Sequence, residues 1–447
     1  MKPADLERTV RFVQLCFAGD LAAAEAVLAQ APALPRRSVH AAAAWADAAA
    51  LAAQLKEDPA RARERLPPAG VTPLLTLCLS ACVRPGAPGA GRAAAAASAL
   101  LEAGADPRAA LARPGKAPLV PLSAAAALAR DLELARLLLL RGADPEEGGA
   151  LAGAVRASAF EVAELLLAHG ARVDATGGDP RDVTPLFTVL DAWYDEARLA
   201  FLLARGADVE HPAGPHGETA VHVAARRRRP GAVRLLAERG ADLGAENRGG
   251  KTAFQHAARR GFDDVCAALS AAGASLALAP GDRFAAHLAA GELERARALG
   301  SPVDRDNPEE TRLLPDLAGR LERREELEFL LELGLPLDAR GLDGGTALHQ
   351  AAWFGAPDNL ELLLERGAPL ELLCEEHAST PLGWVAHGSR YSGGAGERQA
   401  AYVRAAELLL AAGASLRHPS APEDDTAAWL LEDASDEVAR VLRRALA

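Results

Sequence analysis

The chain has 447 residues, a net charge of −12, 50% apolar side chains and only 4% aromatic ones. The mild acidity favours solubility and disfavours a nucleic-acid surface, while the apolar share is ample for a continuous core built from Ala and Leu. The opening residues MKPADLERTVRFVQLCFAGD are charged throughout and lack a signal peptide's apolar centre. No stretch approaches the ~18 apolar residues a membrane span requires. A cytoplasmic protein without a membrane partner is therefore expected. Lysine occurs only at 2, 56, 116 and 251, which leaves 45 arginines and reads as the base composition of a GC-rich bacterial genome. The cysteines at 16, 78, 82, 266 and 374 are odd in number and scattered, as suits a reducing compartment. Cys78 and Cys82 are expected as small buried hydrophobes on one helix.

In chain order, residues 1–31 are predicted to form N-terminal capping helices, with Phe12, Leu15, Cys16 and Leu21 inward and Asp5, Glu7, Arg8 and Arg11 in water. Residues 32–425 form an array of about 11 units by their period. A leucine-rich phrase ending in Gly and a small residue returns ten times, with its glycines at 104, 142, 170, 206, 240, 273, 300, 334, 367 and 413. Nine intervals cover 309 residues, about 34 each, the signature of a solenoid. Two helices fit each interval. Thr346 sits where a hydroxyl would satisfy free backbone donors at a helix start. In Thr72-Pro73, Thr184-Pro185 and Thr380-Pro381 the proline occupies the first helical position, where its missing N–H costs nothing. Leu360, Leu363 and Leu364 form the buried face of a second helix, Leu235 is expected to be buried in an earlier unit, and Gly367 supplies a left-handed cap. Residues 426–447 close the array as C-terminal capping helices. A repeat array grows linearly, and no long polar linker interrupts the phase, so one structural unit is expected.

These features resemble the ankyrin repeat. Thr219-Ala220-Val221-His222, Thr252-Ala253-Phe254-Gln255 and Thr346-Ala347-Leu348-His349 match the family's opening, with looser copies at Val39-His40, Thr72-Pro73-Leu74, Thr184-Pro185-Leu186 and Thr380-Pro381-Leu382. The resemblance covers nearly the whole chain. It implies an all-α repeat solenoid of stacked helix-turn-helix pairs joined by β-hairpin fingers, and a non-enzymatic scaffold that grips a partner protein. Two departures stand out. Arg228 occupies the place of an interhelix glycine, and the unit around Leu313-Leu314-Pro315-Asp316 lacks the opening motif.

Irregular spacing carries more information than the regular units. The intervals 142–170 and 273–300 are short, 28 and 27 residues, so each has lost most of a finger. The interval 367–413 is 46 residues long, with its surplus between the helices at 387–396. A second insert, residues 83–91, contains mainly Pro and Gly. Insertions in arrays cluster on one face and often bind. The segment 384–399 is the preferred recognition loop because it carries Trp384, His387, Arg390 and Tyr391, and Trp, Tyr and Arg anchor interfaces. Arg390 and Tyr391 are expected to contribute little to the core. A competing partner site is the basic ridge of Arg226, Arg227, Arg228 and Arg229 with Arg260, whose guanidinium forks suit carboxylates; a solvated face is its plainer reading.

Other strings carry less. Gly249-Gly250-Lys251-Thr252 resembles the end of a phosphate loop but has no preceding strand, and Gly89-x-Gly91 likewise follows a Pro/Gly loop. His222 holds the motif's structural position, so His211, His216 and His222 are not read as a metal site. Cys374-Glu375-Glu376-His377 reads as a solvated finger tip. No cofactor or metal is expected, nor any catalytic constellation. The partner is expected to be a protein reached through finger tips, inner helices and the inserted loop, and the chain itself a monomer. The alternatives are an inhibitor or immunity-type protein that blocks a bacterial enzyme or effector, and a nucleic-acid-associated protein using the Arg226–Arg229 ridge.

Overall fold

The opening threonines start helices and the phrase glycines end them. The computed structural model describes residues 3–113, 116–178, 183–212, 214, 216–300, 302–341, 344–417 and 427–446. The hydroxyls of Thr72, Thr184, Thr252 and Thr380 each accept from the N–H three residues on, at Leu75, Phe187, Gln255 and Gly383. At Thr346 the expected cap takes a different form. His349 Nδ1 accepts from the Thr346 N–H at 3.1 Å and faces its hydroxyl at 2.9 Å. His222 does the same for Thr219. The other nitrogen of His349 lies 3.1 Å from the carbonyl of Ser379, in the finger of the next repeat. A carbonyl only accepts, so Nε2 carries the proton and the imidazole ties two repeats together. All ten phrase glycines have φ between +75° and +95°, the left-handed cap a Cβ would strain. Arg228 takes φ +52° where Gly355 has +56°, so the chain accepts that strain without a glycine.

The fold is an all-α repeat solenoid, and the chain divides into two compact units, Met1–Gly250 and Lys251–Ala447. In the first, Pro3–Ala18 pairs with Leu21–Gln30, and later inner–outer pairs include Val39–Ala44 with Ala48–Glu57, Pro185–Asp191 with Glu196–Ala204, and Ala220–Arg226 with Pro230–Glu238. In the second, the pairs include Ala253–Arg259 with Asp263–Ala271, Ala347–Trp353 with Pro357–Glu365, Pro381–Tyr391 with Gln399–Ala411, and Ala428–Asp433 with Asp436–Leu446. A short inner helix, Leu313–Ala318, forms even where the opening motif is missing. Small side chains let the helices approach closely: Ala41, Ala42, Ala43 and Ala44 are all fully buried. None of the described helices is long and apolar enough to cross a membrane.

Several details depart from the sequence expectation. Leu362, not Leu364, joins Leu360 and Leu363 in the core, and Leu236 is buried where Leu235 is only half-buried. The inward position moves by one residue in the helix of Leu236 and by two in the helix of Leu362. Among the described residues only one finger, Leu111–Arg113 with Lys116–Leu119, forms a two-stranded antiparallel ladder, while Leu66 and Val71 make a single antiparallel bridge. Cys78 ends up on Pro73–Leu79 and Cys82 on the separate turn Ala81–Val83, both buried, and all five cysteines are free thiols. The 83–91 insert folds back rather than projecting. Gly89 donates to the Cys82 carbonyl at 2.8 Å, and a Cβ there would stand 2.8 Å from that oxygen.

Candidate interaction face on the inner helices

Three of the chain's five tryptophans sit on three successive inner helices: Trp353 on Ala347–Trp353, Trp384 on Pro381–Tyr391 and Trp429 on Ala428–Asp433. In a chain so poor in aromatics this is a concentration of contact area. Glycines make room for it. A Cβ on Gly345 would meet the Trp384 ring at 3.0 Å, one on Gly383 would meet Trp429 at 2.8 Å, and Phe354 lies against Gly319. Trp384 is structural: it is 7% exposed, and its Nε1–H donates to the buried Cys374 Sγ at 3.3 Å. Its ring meets His349 and Trp353 edge-on at 5.3 and 5.8 Å. Outside this buried layer, His387 stacks on Trp353 with centroids 5.6 Å apart, and Tyr391 packs on His387 at 4.5 Å. His387 Nδ1 stands 3.3 Å from Asp433 Oδ2. Tyr391 remains 56% exposed and Phe354 37%, so the layer presents an aromatic surface to solvent.

The expected recognition loop is a helix where it carries these residues. Pro381–Tyr391 runs without a break through Gly388 and Ser389. Gly388 is there for packing: a Cβ would lie 2.6 Å from the Trp353 carbonyl oxygen. The remaining insert is pinned down. Arg398 donates to the carbonyls of Phe354 and Gly393 at 2.6 Å each, and Gln399 to those of Ser389 and Ala395 at 2.7 and 2.8 Å. The Tyr402 hydroxyl donates to the Trp353 carbonyl at 2.7 Å and pairs with Ser392. Arg390 is a clamp rather than a free anchor. It donates to the carbonyls of Glu432 at 2.9 Å and Ala434 at 2.7 Å, satisfying the end of the Ala428–Asp433 helix.

The basic ridge is largely paired within the chain. Arg226, its side chain 9% exposed, bridges Asp191 at 2.9 Å and Glu218 at 3.0 Å; Arg227 reaches Asp191 at 2.8 Å. Burial pushes the Asp191 carboxyl up, but Arg227 and Arg226 outweigh it and hold the group below the ordinary range. Arg229 lies over the Tyr194 ring at 4.5 Å. In the second unit Arg260 forks onto Asp316 at 2.7 and 3.2 Å. Lys251, from the phosphate-loop-like string, contacts Asp282 at 2.8 Å and Glu310 at 3.1 Å, with Arg259 on the same two carboxylates. Among the described residues no group of three or more His, Cys, Asp or Glu side chains is placed to hold a metal ion.

The sequence models that match describe ankyrin repeats: one of three copies over residues 189–279 and one of many copies over 318–364. The chain carries ankyrin repeats. Solved structures with similarity include the human ASB11 ankyrin repeat domain, at 26% identity and a TM-score of 0.43, covering 54% of this chain and 99% of that one. Another is a chain from the structure of the Bd0816 predatory endopeptidase from Bdellovibrio bacteriovorus in complex with immunity protein Bd3460, at 27% identity and a TM-score of 0.33, covering 40% of this chain and 91% of that one. No curated protein sequence matches. Ankyrin repeats generally mediate protein–protein interaction and are typically non-catalytic.

Within this ankyrin array the aromatic face has a simple register that lies outside the opening motif. The residue seven after the opening threonine is Trp353 after Thr346, His387 after Thr380 and Asp433 after Thr426. These three touch in succession, Trp353 on His387 and His387 beside Asp433. The same position is Asp191 after Thr184 and Arg226 after Thr219, and they too are joined. Reading that column down the repeats would have added Trp353 and Asp433 to Trp384, His387 and Tyr391. The other predicted partner residues lie elsewhere: Arg226, Arg227 and Arg229 belong to the first unit, and Arg260 to an earlier repeat of the second.

Proposed function

We propose that the chain is a non-enzymatic scaffold whose partner protein docks on the inner-helix face around Trp353, His387 and Tyr391. One observation carries this reading: an aromatic-poor chain stacks tryptophans on three successive inner helices and leaves the adjoining rings of Tyr391 and Phe354 in solvent. Aromatic anchors give large contact area for little side-chain ordering, which is why they dominate interface energetics. The face sits on helices rather than on a loop, so it is positioned before binding. The arginine ridge serves the fold in this reading, because its guanidinium forks already hold carboxylates of the same chain.

A photo-crosslinking residue replacing Tyr391 in the full chain, expressed in its native host, tests the proposal. It should trap a defined protein adduct, and the same residue at the equally open Leu140, 71% exposed on an outer helix, should not. A partner trapped at both positions, or at neither, would remove the support for this face.

A further inference from the structure

The charge of this chain is unevenly distributed. Residues 251–447 hold 20 Lys and Arg against 32 Asp and Glu, so the entire net charge of −12 lies in the second unit and the first is neutral. On the three aromatic inner helices, Ala347–Trp353, Pro381–Tyr391 and Ala428–Asp433, the only Lys or Arg is Arg390. Its guanidinium is committed to the carbonyls of Glu432 and Ala434. It stands 6.0 Å from the Tyr391 ring centre while so held, and among the described residues these three helices carry no other Lys or Arg, so the outer side of that ring is left to a partner's cation. The face does offer carboxylates at both ends. Glu375 and Glu376 are exposed on the finger that leads into Pro381–Tyr391, and Asp433, its side chain half exposed, ends the column Trp353–His387–Asp433.

We infer that the face takes an arginine-bearing basic segment of the partner protein. This rests on the interaction-face reading above and names the chemistry of what docks there. A guanidinium is planar and weakly hydrated, so it can lie on an aromatic ring while its edge N–H groups fork onto a carboxylate. Tyr391 and the His387–Trp353 stack provide the rings, and Asp433 provides the carboxylate beside them. An ammonium group fits less well, since it is a strongly hydrated point charge that cannot stack. An acidic segment would meet the excess negative charge of the unit and be repelled.

The test uses the full chain and a short fluorescein-labelled peptide of alternating Gly and Arg, with Gly-Lys and Gly-Glu counterparts, read by fluorescence polarisation. The Arg peptide should bind more tightly than the Lys peptide, and the Glu peptide should not bind. Asp433→Asn and Tyr391→Leu should each weaken the Arg peptide about tenfold. Glu325→Gln removes the same single charge from an exposed position on the outer helix Arg324–Glu332 and should leave binding unchanged. Equal weakening by Asp433→Asn and Glu325→Gln would mean attraction to bulk charge alone and would overturn the inference. So would equal affinity for the Arg and Lys peptides, or no binding of the Arg peptide. The crosslink at position 391 judges the face independently of charge: a partner trapped there without a basic segment sinks this inference and leaves the interaction face standing.

Discussion

His349 shows how much one motif side chain does. It caps its own helix through Nδ1 and reaches the next repeat's finger through Nε2. The cap leaves no room for a proton on Nδ1, since that nitrogen accepts there, and burial holds the imidazole down at about 4 against 6.5 for a free side chain; His40 is held at about 4 by burial as well. Between those values the unfolded chain binds protons that the folded chain refuses. Stability is then full above about pH 6.5 and falls as the pH drops toward 4, by at most about 3 kcal/mol per histidine. The chain itself supplies the control. Gln255 occupies the same motif place and accepts from the Thr252 N–H at 2.9 Å without titrating. His349→Gln should therefore fold normally at pH 7 and show a shallower loss of melting temperature between pH 6.5 and 4. Parallel pH profiles for the variant and the natural chain would refute this account of the motif histidine.

At the scale of helices and turns, the sequence was legible where a residue has one physical use and misleading where it has two. The ten phrase glycines and the capping threonines at 72, 184, 252 and 380 have one use, and each does what the pattern implies. Gly388 has two. A glycine next to serine reads as a turn, but here it lets Pro381–Tyr391 press against the Trp353 backbone, so a predicted loop is a helix. Arg390 misled for a related reason: its carbonyl partners lie more than forty residues on, at Glu432 and Ala434, beyond any local pattern. The helix faces were legible to within one or two residues, with Leu236 rather than Leu235 and Leu362 rather than Leu364 inward. Leu363 is fully buried between neighbouring repeats. Leu363→Ala should cost roughly 2–5 kcal/mol through lost burial and a residual cavity. In an array of nearest-neighbour contacts the damage should stay local. Hydrogen exchange should accelerate most in Leu313–Ala318 through Gln399–Ala411 and least at Ala253–Arg259; uniform acceleration across the second unit would contradict it.

For the molecule as a whole, the open question for any repeat array is how its ends meet water, since every interior repeat has an apolar side facing the next one. The last helix, Asp436–Leu446, has the composition this requires. Val438, Ala439 and Leu442 are buried, while Arg440, Arg443 and Arg444 on the opposite side are exposed. It packs on Gln399–Ala411, and its partner Ala428–Asp433 packs on Pro381–Tyr391, with Trp429 laid over Gly383. We read this pair as a C-terminal cap, and Pro3–Ala18 with Leu21–Gln30 as its N-terminal counterpart, with Phe12 and Cys16 buried and Glu7, Arg8 and Arg11 exposed. Removing residues 428–446 would uncover the sides of Pro381–Tyr391 and Gln399–Ala411 on which the pair packs and leave Arg390 without its carbonyl acceptors. The truncated chain should lose solubility, bind a dye for exposed apolar surface and self-associate in sedimentation. Its remaining repeats should melt earlier, because the outermost interface of the array is lost. Replacing Val438 and Leu442 with Asp in the intact chain should reproduce these effects by undocking the helix while keeping its length. A truncated protein that stays monomeric and equally stable would mean that the array ends at Gln399–Ala411 and that the terminal pair serves the binding face alone.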